Sequence, residues 1–185
     1  MIVISGKTCS GKDKVVSYLI DKFNFKRIIT YTTRPMRDNE KQNVTYHYIT
    51  EKDFKQKINE DFFAEYKTYD TEFGTWYYGT ALEDLRKTDD KSVIILTPQG
   101  YRDVKDKLPE KDITCIYLYA NNTTLKKRLK KRGDDIKEAD RRLEHDAEDF
   151  KGFENEVDRI VYNNDEEKIE NVINKILYIV RWYYF

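Results

Sequence analysis

The chain has 185 residues, a length that fits one domain with a sizeable hydrophobic core and room for an inserted lobe. Its 34 Lys+Arg and 34 Asp+Glu side chains leave a formal net charge of zero, so no global charge attracts it to nucleic acid or to an anionic membrane. Aromatic residues make up 14% and charged residues 37%, which predicts a folded core under a polar surface and excludes a disordered chain.

The two cysteines, Cys9 and Cys115, are expected to be reduced thiols. No signal peptide is recognised before them, and charged residues interrupt every apolar run before it reaches the length of a membrane span. We therefore expect a cytoplasmic protein that binds neither a membrane nor nucleic acid.

The first predicted element is a buried strand, Ile2-Val3-Ile4, followed by a glycine-rich loop that reads Gly6-Lys7-Thr8-Cys9-Ser10-Gly11-Lys12. A helix is predicted next, since apolar side chains recur at helical spacing at Val15, Val16, Leu19, Ile20 and Phe23. Phosphate-binding loops occur in this context, because glycines let the backbone fold around an anion while its amides and the lysine contact the phosphates. We assign this loop to ATP, and we assign Lys12 to catalysis at the terminal phosphates.

The two residues after the loop, Asp13 and Lys14, complete this part of the predicted ATP site. Asp13 departs from the usual pattern, which has a Ser or Thr hydroxyl at this position to bind magnesium. Because Mg²⁺ prefers oxygen ligands, we predict the carboxylate of Asp13 as a metal ligand.

The sequence from residue 31 to 80 predicts an inserted lobe rich in β-structure. Before it, residues 25–30 predict a second strand, and Pro35 with the polar run 38–43 then interrupts regular structure. The predicted parts of the lobe are an alternating stretch at 44–49, a helix at 51–59, and aromatic-rich strands through Phe62, Phe63, Tyr66, Tyr69, Phe73 and 76–78.

After residue 80 helices again alternate with short apolar strands. The predicted order is a helix from 81, a strand at 93–96, a helix at 101–107, a strand at 113–119, a helix at 122–132, a long helix through 139–150, a strand at 159–162 and a final helix at 169–180. This alternation predicts a P-loop fold of three α/β/α layers, with a mainly parallel sheet covered on both faces. Residues 1–30 and 81–185 would form this core domain, with ligands beyond the carboxyl ends of the strands.

The aromatic tail at 181–185 is interpreted either as docking on the core or as a contact for a partner.

Several segments resemble the guanylate kinases, and the resemblance spans nearly the whole chain. They are Thr32-Thr33-Arg34-Pro35-Met36-Arg37, Tyr46, Glu65, Tyr77-Tyr78-Gly79-Thr80, Arg128-Leu129-Lys130-Lys131-Arg132-Gly133 and Arg141-Arg142-Leu143. The resemblance implies an enzyme of purine nucleotide metabolism that uses ATP and Mg²⁺ to convert GMP or dGMP to the diphosphate. It also implies that residues 31–80 bind the nucleoside monophosphate.

The acceptor phosphate is assigned to four residues of the lobe, Arg34, Arg37, Tyr46 and Tyr78. Paired guanidinium groups suit a phosphate dianion because they form bidentate, charge-assisted hydrogen bonds, and a proline between them restricts their loop. The two tyrosines add phenolic donors. The resemblance gives the same four positions to the phosphate of the nucleoside monophosphate.

Glu65 and Thr80 are assigned to the base, with Thr30 at a position where the family often has a serine near the base. Guanine presents two neighbouring N–H donors and a carbonyl acceptor, which a carboxylate and a hydroxyl match. Adenine has an unprotonated ring nitrogen there, which an ionised carboxylate repels, and desolvated mismatches of this kind discriminate strongly. The alternative interpretation of Glu65 is a solvated surface carboxylate.

One segment departs from the family pattern. Guanylate kinases usually carry acid-x-acid-x-Gln-Gly after the third core strand, whereas this chain reads Ile95-Leu96-Thr97-Pro98-Gln99-Gly100. In the family these acids make a second contact to guanine and bind magnesium through water. This chain lacks the usual residues for both interactions. Since Asp13 has gained a carboxylate and Thr97 has lost one, we predict an exchange in which both are metal ligands. Independent drift at the two positions is the alternative.

Basic residues in the last third of the chain predict a helical lid at about 132–142. Phosphoryl transfer needs positive charge around the moving group and exclusion of water. Arg132 and Arg142 are therefore assigned to catalysis, with Arg128 and Arg141 as secondary candidates. The break at 133–137 is expected to let the lid close.

Two further residues are assigned to ATP, Arg128 and Asn163, the latter in a segment that the family places near the nucleotide base. The two histidines, His47 and His145, have no metal-ligating companions at suitable spacing and are interpreted as structural.

Two alternative functions stay open. A loop that ends Gly-Lys-Asp is also found in ribose bisphosphate kinases related to the guanylate kinases, so the acceptor could be such a compound or a modified nucleotide. The complete Thr-Thr-Arg-Pro-x-Arg and Tyr-Tyr-Gly-Thr segments favour a nucleotide.

The other alternative is a non-catalytic guanylate-kinase-like binding module. Such modules tend to lose the ATP loop, whereas Gly6, Gly11 and Lys12 are present here.

Overall fold

A computed structural model describes residues 1–38, 40–71, 74–133 and 136–180 of the chain. The strands are β1 Ile2–Ser5, β2 Lys26–Arg27, β3 Tyr31–Thr32, β4 His47–Tyr48, β5 Phe63–Thr71, β6 Gly74–Ala81, β7 Ser92–Ile95, β8 Thr114–Tyr119 and β9 Arg159–Tyr162. The helices are α1 Lys12–Phe23, α2 Glu51–Asn59, α3 Leu82–Arg86, α4 Pro98–Lys107, α5 Asn122–Arg132, α6 Ile136–Asp149 and α7 Ile169–Ile179.

The centre of the protein is a five-stranded parallel sheet with the order β2-β7-β1-β8-β9. Successive side chains of β1 point to opposite faces of this sheet. Val3 packs in a cluster with Tyr101 and Val104 of α4. Ile2 and Ile4 pack in a second cluster that includes residues of α1 and α7. The sheet is covered on both faces, which confirms the predicted three-layer α/β/α fold.

The carboxyl ends of the central strands lie together at one edge of this sheet. Ile4 of β1 is paired in register with Ile95 of β7 and with Ile116 of β8. The glycine-rich loop follows β1, Thr97 follows β7 and Asn163 follows β9. Ligands of parallel α/β sheets bind at this edge, so the fold places the predicted phosphate loop at a binding edge.

A second, four-stranded sheet has the order β4-β3-β6-β5 and occupies the region predicted as an inserted lobe. Strands β5 and β6 form an antiparallel hairpin in which Glu65 lies opposite Thr80. Helix α2 packs on this sheet through aromatic rings: the Phe54 centroid lies 4.4 Å from that of Phe63 and 5.3 Å from that of Tyr77. Burial of these rings stabilises the sheet that presents the other residues of the hairpin to the cleft described below.

The predicted strand at 25–30 is wrong in extent, because only β2 forms. The backbone N–H of Ile28 still donates to the carbonyl oxygen of Val93 in the central sheet. Two residues later, the carbonyl oxygen of Thr30 accepts from the backbone N–H of His47 in the second sheet. The chain therefore crosses from one sheet to the other here, and the local sequence pattern does not reveal such a crossing.

Other predicted bounds also differ from the structure, and helix α4, predicted at 101–107, begins at Pro98. The predicted strand at 44–49 is limited to β4, and the helix predicted from 81 begins at Leu82 because Ala81 ends β6. The strand assignment of Phe73, the break at 134–135 and the aromatic tail at 181–185 lie outside the described residues. In the described part of the chain, no helix is long and apolar enough to cross a membrane.

Candidate active site

A cleft of about 770 Å³ lies between the two sheets and is flanked by α5 and α6. Most residues predicted for substrate binding line it. They are Gly6, Thr8, Cys9, Lys12, Asp13, Thr30, Arg34, Arg37, Tyr46, Glu65, Tyr78, Thr97, Arg132, Arg141 and Arg142. The predicted site residues outside this lining are Lys7, Ser10, Gly11, Lys14, Thr80, Arg128 and Asn163.

The loop after β1 depends on its two glycines. A Cβ atom on Gly6 would lie 2.6 Å from the carbonyl oxygen of Leu118 in the neighbouring strand, so any side chain there clashes with backbone. Gly11 has a φ of +99°, a left-handed conformation that glycine adopts without steric cost. The backbone N–H of Ser10 donates to the carbonyl oxygen of Lys7 at 3.0 Å and closes the turn. The loop geometry thus explains the glycine pattern seen in the sequence.

Lys12 folds back over this loop. Its Nζ atom donates to the carbonyl oxygens of Gly6 at 2.6 Å and Lys7 at 3.0 Å. Burial lowers the pKa of Lys12, and the negative charges of Asp13 and Asp146 oppose that shift. Phosphate oxygens are stronger partners for an ammonium group than carbonyl oxygens, so a bound nucleotide can take over this lysine.

A contact that the sequence does not reveal joins the loop to α6. The backbone N–H of Thr8 donates to Oδ2 of Asp146 at 2.5 Å. On the same helix, Asp149 forms an ion pair with Lys67 of β5 at 2.7 Å. His145 lines the cleft and has its Nδ1 atom 3.5 Å from Oδ1 of Asp149. Helix α6 therefore connects the phosphate loop to the second sheet.

Arg128 and Asn163 hold the loop from outside the cleft. The side-chain amide of Asn163 donates to the carbonyl oxygen of Ser10 at 2.7 Å. The guanidinium of Arg128 donates to the carbonyl oxygen of Asn163 at 2.9 Å and to those of Cys9 and Ser10 at 3.3 Å. The two side chains fix the shape of the loop backbone, and their assignment as direct ATP contacts stays a prediction.

Arg34 is held by Glu40, a residue that the sequence analysis misses. Nη2 of Arg34 donates to both carboxylate oxygens of Glu40, at 2.7 and 2.9 Å. The same carboxylate accepts from the hydroxyl of Tyr48 at 2.7 Å and from the backbone N–H of Arg37 at 2.9 Å. The hydrogen bond from Arg34 lowers the pKa of Glu40 to about 2, so the pair is ionised at neutral pH. A carboxylate in a polar run looks solvated in the sequence, which is why this partner is not predicted.

Tyr46 and Tyr78 lie beside Arg34. Their ring centroids are 5.9 Å apart, and the guanidinium carbon of Arg34 is 5.6 Å from the centroid of Tyr46. Arg37 is exposed and lines the same cleft. The four residues predicted for the acceptor phosphate thus share one cleft, and their roles there stay predictions.

Glu65 and Thr80 are joined across the β5–β6 hairpin, where Oγ1 of Thr80 donates to Oε1 of Glu65 at 2.5 Å. Burial raises the pKa of Glu65 to about 7, and the hydrogen bond from Thr80 opposes the rise. The other carboxylate oxygen lies near Gly100, since a Cβ atom there would be 3.2 Å from Oε2. Thr80 is fully buried, so its hydroxyl orients the carboxylate that lines the cleft.

A family model described as guanylate kinase matches residues 1–179 of the chain. The chain belongs to the guanylate kinase family. The guanylate kinase of Fusobacterium nucleatum is 30% identical over 184 residues, which cover 97% of this chain and 95% of the relative. The guanylate kinase of Malacoplasma penetrans is 32% identical over 184 residues, with coverage of 96% and 92%.

A solved structure shows the same fold. The crystal structure of guanylate kinase from Anaplasma phagocytophilum matches with a TM-score of 0.68 and 20% identity, over 98% of this chain and 84% of that chain. The family's activity is the ATP-dependent phosphorylation of GMP, so the cleft with the phosphate loop on one side and Glu65 on the other is the candidate active site.

The magnesium side of this guanylate kinase site differs from the usual pattern at Asp13. Its carboxylate is exposed and lines the cleft. The charge of Asp13 acts on the ammonium of Lys12 and on the hydroxyl of Tyr46, so it lies within electrostatic range of both the ATP loop and the acceptor residues. Among the described residues, no group of three or more His, Cys, Asp or Glu side chains is arranged to hold a metal ion.

Thr97, the other predicted metal ligand, lies in different surroundings. Its Oγ1 atom accepts from the backbone N–H of Gly100 at 3.1 Å and caps α4. A Cβ atom on Gly100 would lie 3.4 Å from this oxygen and 3.2 Å from Oε2 of Glu65. Thr97 is therefore on the Glu65 side of the guanylate kinase cleft, and its role as a metal ligand stays a prediction.

The arginines of the predicted lid lie on α5 and α6. Arg132 is the last residue of α5. Gly133 follows it as the C-cap of this helix, with a φ of +81°. Arg141 and Arg142 follow in α6, and the three arginines line the same cleft as Lys12. Their placement gathers positive charge at the cleft of a phosphotransferase.

Proposed function

We propose that this chain transfers the γ-phosphoryl group of ATP to GMP or dGMP, which gives ADP and GDP or dGDP. Its membership of the guanylate kinase family supports a phosphotransferase of this kind. The observation that carries the choice of acceptor is Glu65, which lines the cleft shared with the phosphate loop and accepts a hydrogen bond from the buried hydroxyl of Thr80. The ionised carboxylate of Glu65 matches the two adjacent N–H donors of guanine and disfavours adenine.

The ATP phosphates would bind at the loop between β1 and α1. Its backbone amides and the N-terminus of α1 attract anions, and Lys12 supplies a charge within reach of the terminal phosphates. Arg128 and Asn163 keep the loop in its binding conformation through their hydrogen bonds to its carbonyl oxygens. Preorganisation of this kind leaves less reorganisation to occur during the reaction.

The acceptor phosphate would bind between Arg34, Arg37, Tyr46 and Tyr78. Glu40 fixes the guanidinium of Arg34, so this arginine presents its remaining donors in one orientation. The acceptor atom is already a phosphate oxyanion, so the reaction needs no general base. The task of the protein is to hold the two phosphates in line and to exclude water.

The lid arginines would stabilise the group in transfer. Arg132 and Arg142 are proposed to contact the transferring phosphates, with Arg141 in support, because they line the cleft beside Lys12. Helix α6 carries two of these arginines and contacts both the phosphate loop and the second sheet. Movement of α6 would therefore bring positive charge to the reacting group when both substrates are bound.

Mg²⁺ is proposed as the cation bound with ATP. The donor set fits this ion, since Asp13 offers an exposed carboxylate oxygen in the cleft and Mg²⁺ retains several waters besides its protein and phosphate ligands. When bound, the ion neutralises phosphate charge during transfer. Asp13 is the proposed main ligand from this chain, with Thr97 as a second candidate.

The proposed roles of the core domain and the acceptor lobe correspond to the two sheets. Residues 1–30 and 81–185 act as the core domain that binds ATP, residues 31–80 as the acceptor lobe, and residues at about 132–142 as the lid. The separate hydrogen bonding of the two sheets supports this division. We propose the cytoplasm as the place of action, because ATP and nucleoside monophosphates are available there.

A panel of acceptors tests the proposed function. Purified protein is supplied with ATP, Mg²⁺ and one acceptor at a time from GMP, dGMP, AMP, CMP, UMP, a modified purine monophosphate and a ribose bisphosphate, and formation of ADP is measured. We expect GMP and dGMP to exceed AMP in kcat/KM by about 100-fold or more. Preference for the ribose bisphosphate would support the related kinases instead, and a folded protein that neither binds ATP–Mg²⁺ nor turns over would support a binding module.

A further inference from the structure

The acceptor-phosphate residues carry less positive charge than their number indicates. The guanidinium of Arg34 is paired with both carboxylate oxygens of Glu40, so this pair has no net charge. Tyr46 and Tyr78 are neutral phenols. Arg37 is then the one uncompensated cation among the four residues, whereas the phosphate of a nucleoside monophosphate carries close to two negative charges at neutral pH.

Arg27 lines the same cleft. It is the last residue of β2, and neighbouring residues of a strand point to opposite sides. Its neighbour Lys26 is outside the cleft lining and forms an exposed ion pair with Asp89 at 2.9 Å. Within the described ranges of the chain, no carboxylate forms an ion pair with Arg27. Its charge is therefore available to a ligand in the cleft.

The backbone brings Arg27 close to the acceptor residues. The hydrogen bond of 2.9 Å from the backbone N–H of His47 to the carbonyl oxygen of Thr30 places Tyr46 beside the segment that follows β2. Burial raises the pKa of Tyr46, and Arg27 is the charged group that opposes this rise most, ahead of Arg34. The charge of Arg27 thus acts on the hydroxyl of a residue assigned to the acceptor phosphate.

The position of β2 in the sheet separates Arg27 from the ATP phosphates. The order β2-β7-β1 puts one whole strand between β2 and β1, which leads into the phosphate loop. Neighbouring strands lie about 4.8 Å apart, so Arg27 begins roughly 10 Å to one side of that loop. Arg27 thus lies on the side of the central sheet from which the chain continues directly into the second sheet.

We propose that Arg27 is a third arginine of the acceptor-phosphate site, which supplies the second positive charge for the dianion of the nucleoside monophosphate. The inference rests on the proposed function, because it assigns a contact to the same acceptor. A guanidinium is suited to this role, since its planar donors pair with two phosphate oxygens at once. Arg27 precedes the Thr-Thr-Arg-Pro-x-Arg segment in the sequence, so that segment alone does not reveal it.

The test compares Arg27→Met with Lys26→Met, a neighbouring cation outside the cleft lining. Steady-state rates are measured with GMP, with dGMP and with ATP as the varied substrate, and guanosine serves as an inhibitor that lacks the phosphate. We expect Arg27→Met to raise KM for GMP and for dGMP alike by about tenfold, the loss of one charge-assisted contact. The kcat, the KM for ATP and the inhibition constant of guanosine should change by less than about twofold, and Lys26→Met should match the wild type.

Two further variants keep the test decisive. Arg27→Lys, which retains the charge, should recover part of the GMP affinity, whereas Arg27→Gln should not. The inference is overturned if KM for GMP stays within about twofold in Arg27→Gln and Arg27→Met, if guanosine binding weakens as much as GMP binding, or if the loss falls on ATP instead. Failure of the wild type to phosphorylate GMP would refute the proposed function itself, so the two failures are distinguishable.

Discussion

The backbone nitrogen of Thr8 lies 2.5 Å from Oδ2 of Asp146. A carboxylate of α6 thus occupies an amide of the phosphate loop, a donor that suits a phosphate oxygen equally well. The negative charge of Asp146 also acts on Lys12. We therefore expect ATP and Asp146 to compete for this amide of the loop.

The first prediction concerns this competition. Asp146→Asn removes the charge but keeps the size of the side chain, so ATP–Mg²⁺ should bind about three- to tenfold more tightly, as expected for loss of a repulsion of about 1 kcal/mol. Isothermal titration calorimetry measures the change. Glu148→Gln is the matched control, because Glu148 is an exposed carboxylate on the same helix and lies outside the cleft lining. Weaker ATP binding in Asp146→Asn would show that Asp146 assists the nucleotide and would contradict the competition.

The second prediction concerns the pH dependence of GMP use. Burial raises the pKa of Glu65 to about 7, and guanine binds to the ionised carboxylate. Below this pKa the free enzyme holds a proton on Glu65, so kcat/KM for GMP should fall by up to tenfold for each unit of pH. The fall should begin near pH 7, well above the ordinary pKa of glutamate, and the KM for ATP should stay constant over the same range.

Glu65→Gln is the control for this pH effect. It should lower kcat/KM for GMP at pH 8, narrow the preference for GMP over AMP and abolish the acidic limb near pH 7, since the amide does not titrate. An unchanged limb in Glu65→Gln would assign the titration to another group, and an unchanged preference for GMP would remove Glu65 from base recognition.

The third prediction concerns the buried ion pair in the acceptor site. Arg34 is 6% and Glu40 15% exposed, so Glu40→Gln should lower the free energy of unfolding by about 3 kcal/mol because it leaves a buried guanidinium without its counter-charge. Tyr48→Phe should cost about 1.5 kcal/mol, the value of one hydrogen bond to a charged group. Urea denaturation measures both changes.

A surface pair provides the comparison for that experiment. Arg102 and Glu156 form a similar pair at 2.6 Å, but their side chains are 37% and 35% exposed. Glu156→Gln should therefore cost less than about 1 kcal/mol. Equal losses in Glu156→Gln and Glu40→Gln would show that burial of the Arg34–Glu40 pair adds nothing to its contribution.

The fourth prediction concerns the two unusual positions of the magnesium side. If Asp13 and Thr97 exchanged roles, Asp13→Ser and Thr97→Asp should each lower kcat, and the double variant should recover activity with a coupling energy above about 1 kcal/mol. Aspartate is a good N-cap residue, so Thr97→Asp keeps the start of α4 intact. Additive losses would show that the two positions changed independently. That result would agree with the position of Thr97 on the Glu65 side of the cleft.

Much of the fold follows from local patterns in the sequence. The helix at Glu51–Asn59 agrees with its predicted bounds, because an N-cap threonine precedes it and Phe54 supplies its buried side. The extent of β2 does not follow from the pattern, since the apolar residues Ile28 and Ile29 come after β2, where the chain leaves the central sheet. Hydrogen bonds between distant segments decide where a strand ends, and these are not encoded in local periodicity.

The candidate site shows the same division. Lys12, Arg34 and Glu65 are predictable, because motifs place them in the sequence. Glu40 and Asp146 are not, because a carboxylate among other charged residues resembles a solvated one until the fold sets it against a guanidinium or a loop amide. A motif thus identifies one partner of such a contact, and only the fold identifies the other.

Transfer of radiolabelled γ-phosphate from ATP to an equimolar mixture of GMP and AMP tests directly whether this cleft phosphorylates a guanine nucleotide. Products are separated by chromatography after a small fraction of turnover. We predict label in GDP, with at least about 100-fold less label transferred to AMP. Label in neither product from a folded enzyme with Mg²⁺, or equal label in both, would contradict the assignment of this cleft to ATP-dependent phosphorylation of a guanine nucleotide.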